Sequence, residues 1–221
     1  MNSTVVPDAL FCLSTRCPHC PAMLQTLSDL VKHGLLGRLE IVNLESRPEV
    51  AQALGVRSVP WLRIGRLELS GQHDRTEIEK LIERTQSPTG VADYYHDLLR
   101  DGDLAQVLAM VGRHPDSLAD LLPIVANPDA SINVRIGAGV VFEEYAGWPA
   151  LQGLTDRLGK LAGHDDARVR ADACHYLGMT ASDAAKPYLL QRMQDDDSEV
   201  REIAGESLEA LNARLAGDET S

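Results

Sequence analysis

"LSTRCPHCPAM", residues 13–23, sets two cysteines three apart around a proline and a histidine, and its reading decides the fold of the first half of the chain. Alone, the pair fits a redox couple, half of a zinc site, or two unrelated core thiols. Its flanks carry more information. "ALFCLST" (9–15) is a compact apolar run of strand length. It leads into "CPHCPAMLQTLSDLVKHG" (17–34), where Met23, Leu24, Leu27, Leu30 and Val31 recur at helical spacing. Gly34 and Gly37 mark the end of that helix. The pair therefore stands where a strand hands over to a helix.

The pattern continues to residue 86. "LEIVNLE" (39–45) reads as a second strand, and "RPEVAQALG" (47–55) as a short helix with Pro48 in its first turn and Gly55 closing it. "PWLRIG" and "RLELSGQ" (60–72) form a strand pair. "DRTEIEKLIERTQ" (74–86) is an amphipathic helix that turns Ile78, Leu81 and Ile82 inward. The order β-α-β-α-β-β-α predicts a small α/β sandwich with a mixed sheet.

Composition narrows the class. With 221 residues and 44% apolar content, one large or two small globular domains are expected. Four unevenly placed cysteines do not make a secreted disulfide scaffold. "MNSTVVPDALFCLSTR" lacks the basic start, apolar run and small-residue cleavage site of a leader. No stretch reaches the ~20 apolar residues of a membrane span. A soluble cytoplasmic protein is the expectation, and in a reducing compartment a cysteine pair is catalytic or metal-binding more often than structural. Residues 1–87 hold 10 basic and 10 acidic residues, so the whole net charge of −12 falls on the remainder. Such a surface repels phosphate backbones, which argues against nucleic acid as a partner. In its blandest reading, the charge only keeps that half soluble.

After the linker "QSPTG" (86–90) the strand signals stop and a repeat begins. "NPDASINVRIGAGVVFEEY" (127–145), "HDDARVRADACHYLG" (164–178) and "DDDSEVREIAGESLEAL" (195–211) each run from a polar turn to Val-Arg, then to a small residue three further on. The Val-Arg pairs fall at 134/135, 169/170 and 200/201, and the small residues are Ala138, Ala173 and Ala204. Helical hairpins that turn Val and Ala to the core must stack to bury them. The organisation expected is a domain at 1–87, a linker and helical cap at 88–126, and stacked helical repeats at 127–221. The pattern D-D-x-x-V-R-x-x-A-x-x-x-L resembles short HEAT repeats of the type found in phycobilin lyases. That resemblance implies an all-α solenoid with a binding surface; no lyase chemistry is expected of it.

The first half, over roughly residues 7–86, resembles the thioredoxin superfamily. The likeness rests on Cys17-Pro18-His19-Cys20 at the strand-to-helix junction and on "GVRSVP" (55–60), whose proline comes 43 residues after Cys17. It implies a redox-active Cys17–Cys20 disulfide with Cys17 as nucleophile and Cys20 as resolving thiol. Only a thiolate attacks a disulfide, and a helix N-terminus offers it unpaired N–H groups and the positive end of the dipole. Pro18 suits the first helical turn, where its missing N–H costs nothing. His19 is a neighbouring donor that can carry positive charge and favour the thiolate. By the same resemblance Pro60 is the family's cis-proline, and Val59 before it pairs its backbone with a substrate peptide. Arg16 replaces the tryptophan of thioredoxins proper, and Phe11 stands where they bury an acid. Pro-His is the dipeptide of the disulfide oxidase DsbA, but residues 21–59 leave no room for that protein's helical insertion. The short start is closer to glutaredoxins, without a convincing glutathione-binding signature.

Zinc would require two more ligands at suitable spacing, and the chain has no second CxxC and no HxxxH. Cys12 and Cys174 read as buried small hydrophobes. The expected function is thiol–disulfide exchange on protein disulfides, with no metal and no cofactor beyond the cysteine pair. Catalysis is assigned to Cys17, Cys20, His19 and Pro18, substrate binding to Val59, Pro60 and Arg16, and partner docking to the repeats. A reductase or dithiol donor would restore the pair, and no membrane partner is expected. The alternatives are a redox-sensing scaffold without turnover and a dedicated electron or sulfur carrier for one enzyme.

Overall fold

β1 (Ala9–Leu13) is paired on both sides, and Ala9, Phe11 and Cys12 on it are buried. That explains a run with no polar alternation: a strand covered on both faces is apolar throughout. The computed structural model describes residues 6–218. Residues 1–5, within the stretch read above for a leader, and residues 219–221, at the end of the last domain range, lie outside the described residues.

β1 runs parallel to β2 (Leu39–Asn43) and antiparallel to β3 (Trp61–Ile64), which turns through Gly65 into antiparallel β4 (Leu67–Ser70). The sheet order is β2-β1-β3-β4. α1 (Cys20–Lys32) packs along β2 and α3 (Arg75–Gln86) on β3. Met23, Leu27 and Leu30 of α1 and Ile78, Leu81 and Ile82 of α3 are the buried faces foreseen from spacing. Each such side chain contributes about 1.5–3 kcal/mol on burial. α2 (Pro48–Leu54) buries none of its residues and ends where Gly55 takes the left-handed φ of 65°. Asp74 accepts from the Glu77 N–H while the Glu77 carboxylate takes the Asp74 N–H, a reciprocal cap that sets the start of α3. The mixed α/β architecture read from the sequence is the one observed.

The chain divides into two compact units, 1–94 and 95–221, and the division falls within α4 (Gly90–Arg100) rather than at the linker. Tyr94 is the reason. Its hydroxyl donates to the Glu68 carbonyl on β4, and the Arg84 guanidinium lies 5.6 Å from its ring centre. The turn before it requires glycine, since a Cβ on Gly90 would stand 1.8 Å from the Arg84 carbonyl oxygen.

The second unit is helical. After α5 (Leu104–Arg113), a 3₁₀ stretch (Pro115–Leu121) and α6 (Leu122–Val125) come α7 (Ile132–Glu144), α8 (Pro149–Gln152), α9 (Thr155–Leu161), α10 (Ala167–Gly178), α11 (Lys186–Arg192) and α12 (Ser198–Asp218). The three Val-Arg pairs open α7, α10 and α12. Val134, Val169 and Val200, with Ala138, Ala173 and Ala204, are at most 1% exposed, as the repeat pattern requires. Phe142 stacks on Tyr176 at 4.5 Å, joining α7 to α10.

The repeated arginines do two jobs. Arg170 Nη1 donates to the carbonyls of His164 and Asp165, and Arg201 Nη1 to those of Asp195 and Asp196, so each ties down the turn before its own helix. Arg170 also forks onto Asp195 at 2.7 and 2.9 Å, and Arg192 meets the same carboxylate at 3.0 Å. Arg135 reaches forward to Asp172 of the next repeat at 2.7 Å.

Candidate functional site

β1 ends at Leu13, and after six connecting residues the chain is helical. The connecting turn closes with the Cys17 N–H on the Ser14 carbonyl at 3.3 Å, and Asn43 at the end of β2 donates to the Thr15 hydroxyl at 3.2 Å. Cys17 and Cys20 are joined as a disulfide with Cα atoms 5.5 Å apart. Cys17 is half-buried and Cys20 is 3% exposed, so an incoming sulfur meets Cys17 first.

α1 begins at Cys20, with His19 as its cap residue and no side-chain capping bond. The expectation that Pro18 occupies the first helical turn is corrected: Pro21 fills that place, and Pro18 lies exposed in the turn before the helix. The physical reason for a proline there is unchanged, because the first-turn N–H groups have no partner within the helix. One of them does find a partner, since the Cys20 N–H donates to Cys17 Sγ at 3.1 Å. The first turn carries no acidic residue to oppose negative charge on that sulfur. His19 and Arg16 are exposed beside it.

The Val59–Pro60 peptide bond is cis. Cys12 pairs with Trp61, and continuing that antiparallel register sets Pro60 opposite Leu13 and Val59 opposite Ser14. The loop before β3 is thereby brought to the end of β1 from which the cysteine turn departs. Pro60 is buried and its carbonyl accepts the Gly71 N–H at 2.9 Å. Half-buried Val59 uses neither its N–H nor its C=O in a hydrogen bond among the described residues. The fold thus gathers Arg16, Cys17, Pro18, His19, Cys20, Val59 and Pro60 at one end of the sheet.

The two remaining cysteines are elsewhere and buried. Burial pushes the Cys12 thiol up to about 11, with Arg63 pulling the other way, and the Cys174 thiol up to about 12, with Arg192 opposing. Phe11 is fully buried in the central strand. The buried acid of this sheet is Glu68 on β4, at 2% exposure, across from Arg63. No local signal singles it out, since the alternation of "LELS" turns a glutamate outward until Tyr94 of α4 reaches that strand.

Residues 10–83 match the thioredoxin domain family, and residues 118–209 match HEAT repeats. The chain carries a thioredoxin domain followed by HEAT repeats. The first points to redox chemistry, and the second to protein–protein interaction, which such repeats generally mediate. Comparison with curated proteins gives no match. Among the described residues no helix is long and apolar enough to cross a membrane.

Proposed function

We propose that this protein is a thiol–disulfide oxidoreductase that acts on protein disulfides through Cys17 and Cys20 and holds its partner on the helical repeats. The observation that carries the reading is the Cys20 N–H on Cys17 Sγ at the start of α1. A donor aimed at the more accessible sulfur favours its thiolate over its thiol. In the reduced protein the Cys17 thiolate attacks one sulfur of a client disulfide, forming a mixed disulfide and expelling the client's other sulfur as thiolate. Cys20, one turn into α1, then gives up its proton and attacks Cys17 Sγ. The client leaves as a dithiol, and the Cys17–Cys20 bond carries the two electrons' worth of oxidation. A dithiol donor returns the pair to the reduced state; in the reverse direction the Cys17–Cys20 disulfide oxidises a dithiol client and is itself reduced.

Arg16 adds positive charge beside the developing thiolate, His19 is a neighbouring hydrogen-bond donor, and Pro18 holds the turn between the cysteines. The unused backbone of Val59, ahead of Pro60, offers strand-like pairing to the client's main chain, which binds without reading much sequence. The reaction uses no metal and no cofactor beyond the pair itself. A reducing cytoplasm is the compartment we propose, on the small cysteine complement. Turnover with insulin as a generic disulfide tests the reading. Cys17→Ser should abolish it, and Cys20→Ser should accumulate a mixed disulfide whose client mass spectrometry identifies. Full turnover by Cys17→Ser would overturn the assignment.

A further inference from the structure

α10 and α12 touch through small residues. A Cβ added to Gly178 would stand 2.8 Å from the Ser207 carbonyl oxygen and 3.0 Å from its Cα, so the helices approach as closely as backbones allow. Beside this contact Ala171, Gly178, Met179, Ile203 and Ala210 line an open trough of about 450 Å³. No large side chain of the described residues fills it. Its wall on α12 includes Glu206.

Glu206 does not stand alone. Glu199, Glu202, Glu206 and Glu209 recur at steps of three and four, which sets them on one stripe of α12. All four are exposed, and none takes part in an ion pair among the described residues. At ~1.5 Å per residue the stripe runs about 15 Å, or about three helical turns. Against it stands Arg214 at the far end of the trough. On the α10 side Asp172 is neutralised by Arg135, and His175 faces Glu143 at 3.9 Å. The trough is therefore an apolar channel flanked along one side by four uncompensated negative charges.

We propose that the groove between α10 and α12 receives an amphipathic helix of the protein partner, apolar on one face and bearing Lys or Arg beside it. This rests on the reading of the repeats as a docking module and adds the chemistry of what docks. A helix laid in an apolar groove buries residues spaced three and four apart, which is also the spacing of the glutamates. The stripe is longer than a small ligand and matches three turns of a partner helix. A second copy of this chain is a poor fit, because the helical half would bring further negative charge to the stripe.

The test uses the full chain and a fluorescein-labelled 14-residue helix with Leu on one face and Lys on its flanks. The same peptide with Glu for each Lys is the control, and fluorescence polarisation is the readout. The Lys helix should bind, weaken as salt shortens the Debye length, and outcompete the Glu helix. Glu202→Gln with Glu206→Gln should weaken it by about three- to ten-fold through lost exposed ion pairs. Ala210→Tyr, which fills the trough, should abolish binding. Insulin turnover should be unchanged in both variants. Equal binding of the two helices, no binding, or indifference to the glutamates would overturn the proposal. A dimer in sedimentation that Ala210→Tyr dissociates would overturn it too, since a second copy would then own the groove. Loss of insulin turnover in the unmutated chain would strike the redox reading alone and leave the polarisation result to stand.

Discussion

Asp195→Asn should be the most damaging single exchange of a polar side chain in the repeats. The Asp195 side chain is 2% exposed and takes two bonds from Arg170, at 2.7 and 2.9 Å, and one from Arg192 at 3.0 Å. It also accepts the Asp197 N–H at 3.1 Å, ahead of α12. Removing one side of a buried ion pair costs ~3–5 kcal/mol, because the other charge is left unpaired in a poor solvent. Here the arginine side chains are 14% and 19% exposed, and Arg170 keeps the His164 and Asp165 carbonyls. The low end applies, about 3 kcal/mol. With a urea slope of ~1–3 kcal/mol/M, the midpoint of the second unit's transition should fall by about 1–3 M. Arg170's hydrogen bonds, with burial opposing, hold the Asp195 carboxyl below its usual range. Its contribution is therefore complete above the unfolded value of about 3.9 and is lost as pH falls through the lower folded value. The gap between Asp195→Asn and the parent should stay constant through neutrality and narrow only in acid. A loss under about 1 kcal/mol at pH 7 would refute the reasoning, since that is the worth of an exposed pair.

The Cys17–Cys20 couple should be more oxidising than thioredoxin's roughly −270 mV, because groups that favour the Cys17 thiolate stabilise the reduced form. Equilibration with glutathione measures this, and a potential at or below that value refutes it. Alkylation of the native reduced protein at pH 8 should modify Cys17 and spare Cys12 and Cys174, whose thiols burial raises to about 11 and about 12. Labelling of either before unfolding would contradict their placement. A fragment ending after residue 100 should fold, reduce insulin and lose preference for the client trapped by Cys20→Ser. One ending at residue 88 should be less stable by about 2 kcal/mol, having lost the buried Tyr94. Equal melting of the two would show that Tyr94 adds nothing to the first unit.

What sequence by itself determined here is what short windows encode. Strand-length apolar runs, helical spacing in 17–34 and 74–86, and the Val-Arg repeat each reflect one element's need to bury one face. The cysteine pair was legible for the same reason, since it sits at the junction of two such windows. Tertiary structure decided what depends on distant neighbours. Whether Pro18 or Pro21 enters α1 turns on where the β1 turn lets the helix start, three residues from where the motif begins. The loop carrying Val59 is brought to the end of β1 where the cysteine turn departs only because β3 pairs with β1, a register no local pattern carries. Glu68 reads as a surface residue until α4 brings Tyr94 over β4. Asp195 is one of three consecutive aspartates alike in sequence, and only Arg170, 25 residues earlier, and Arg192 single it out. Periodicity reports which face of an element is buried; it carries no information about what buries it.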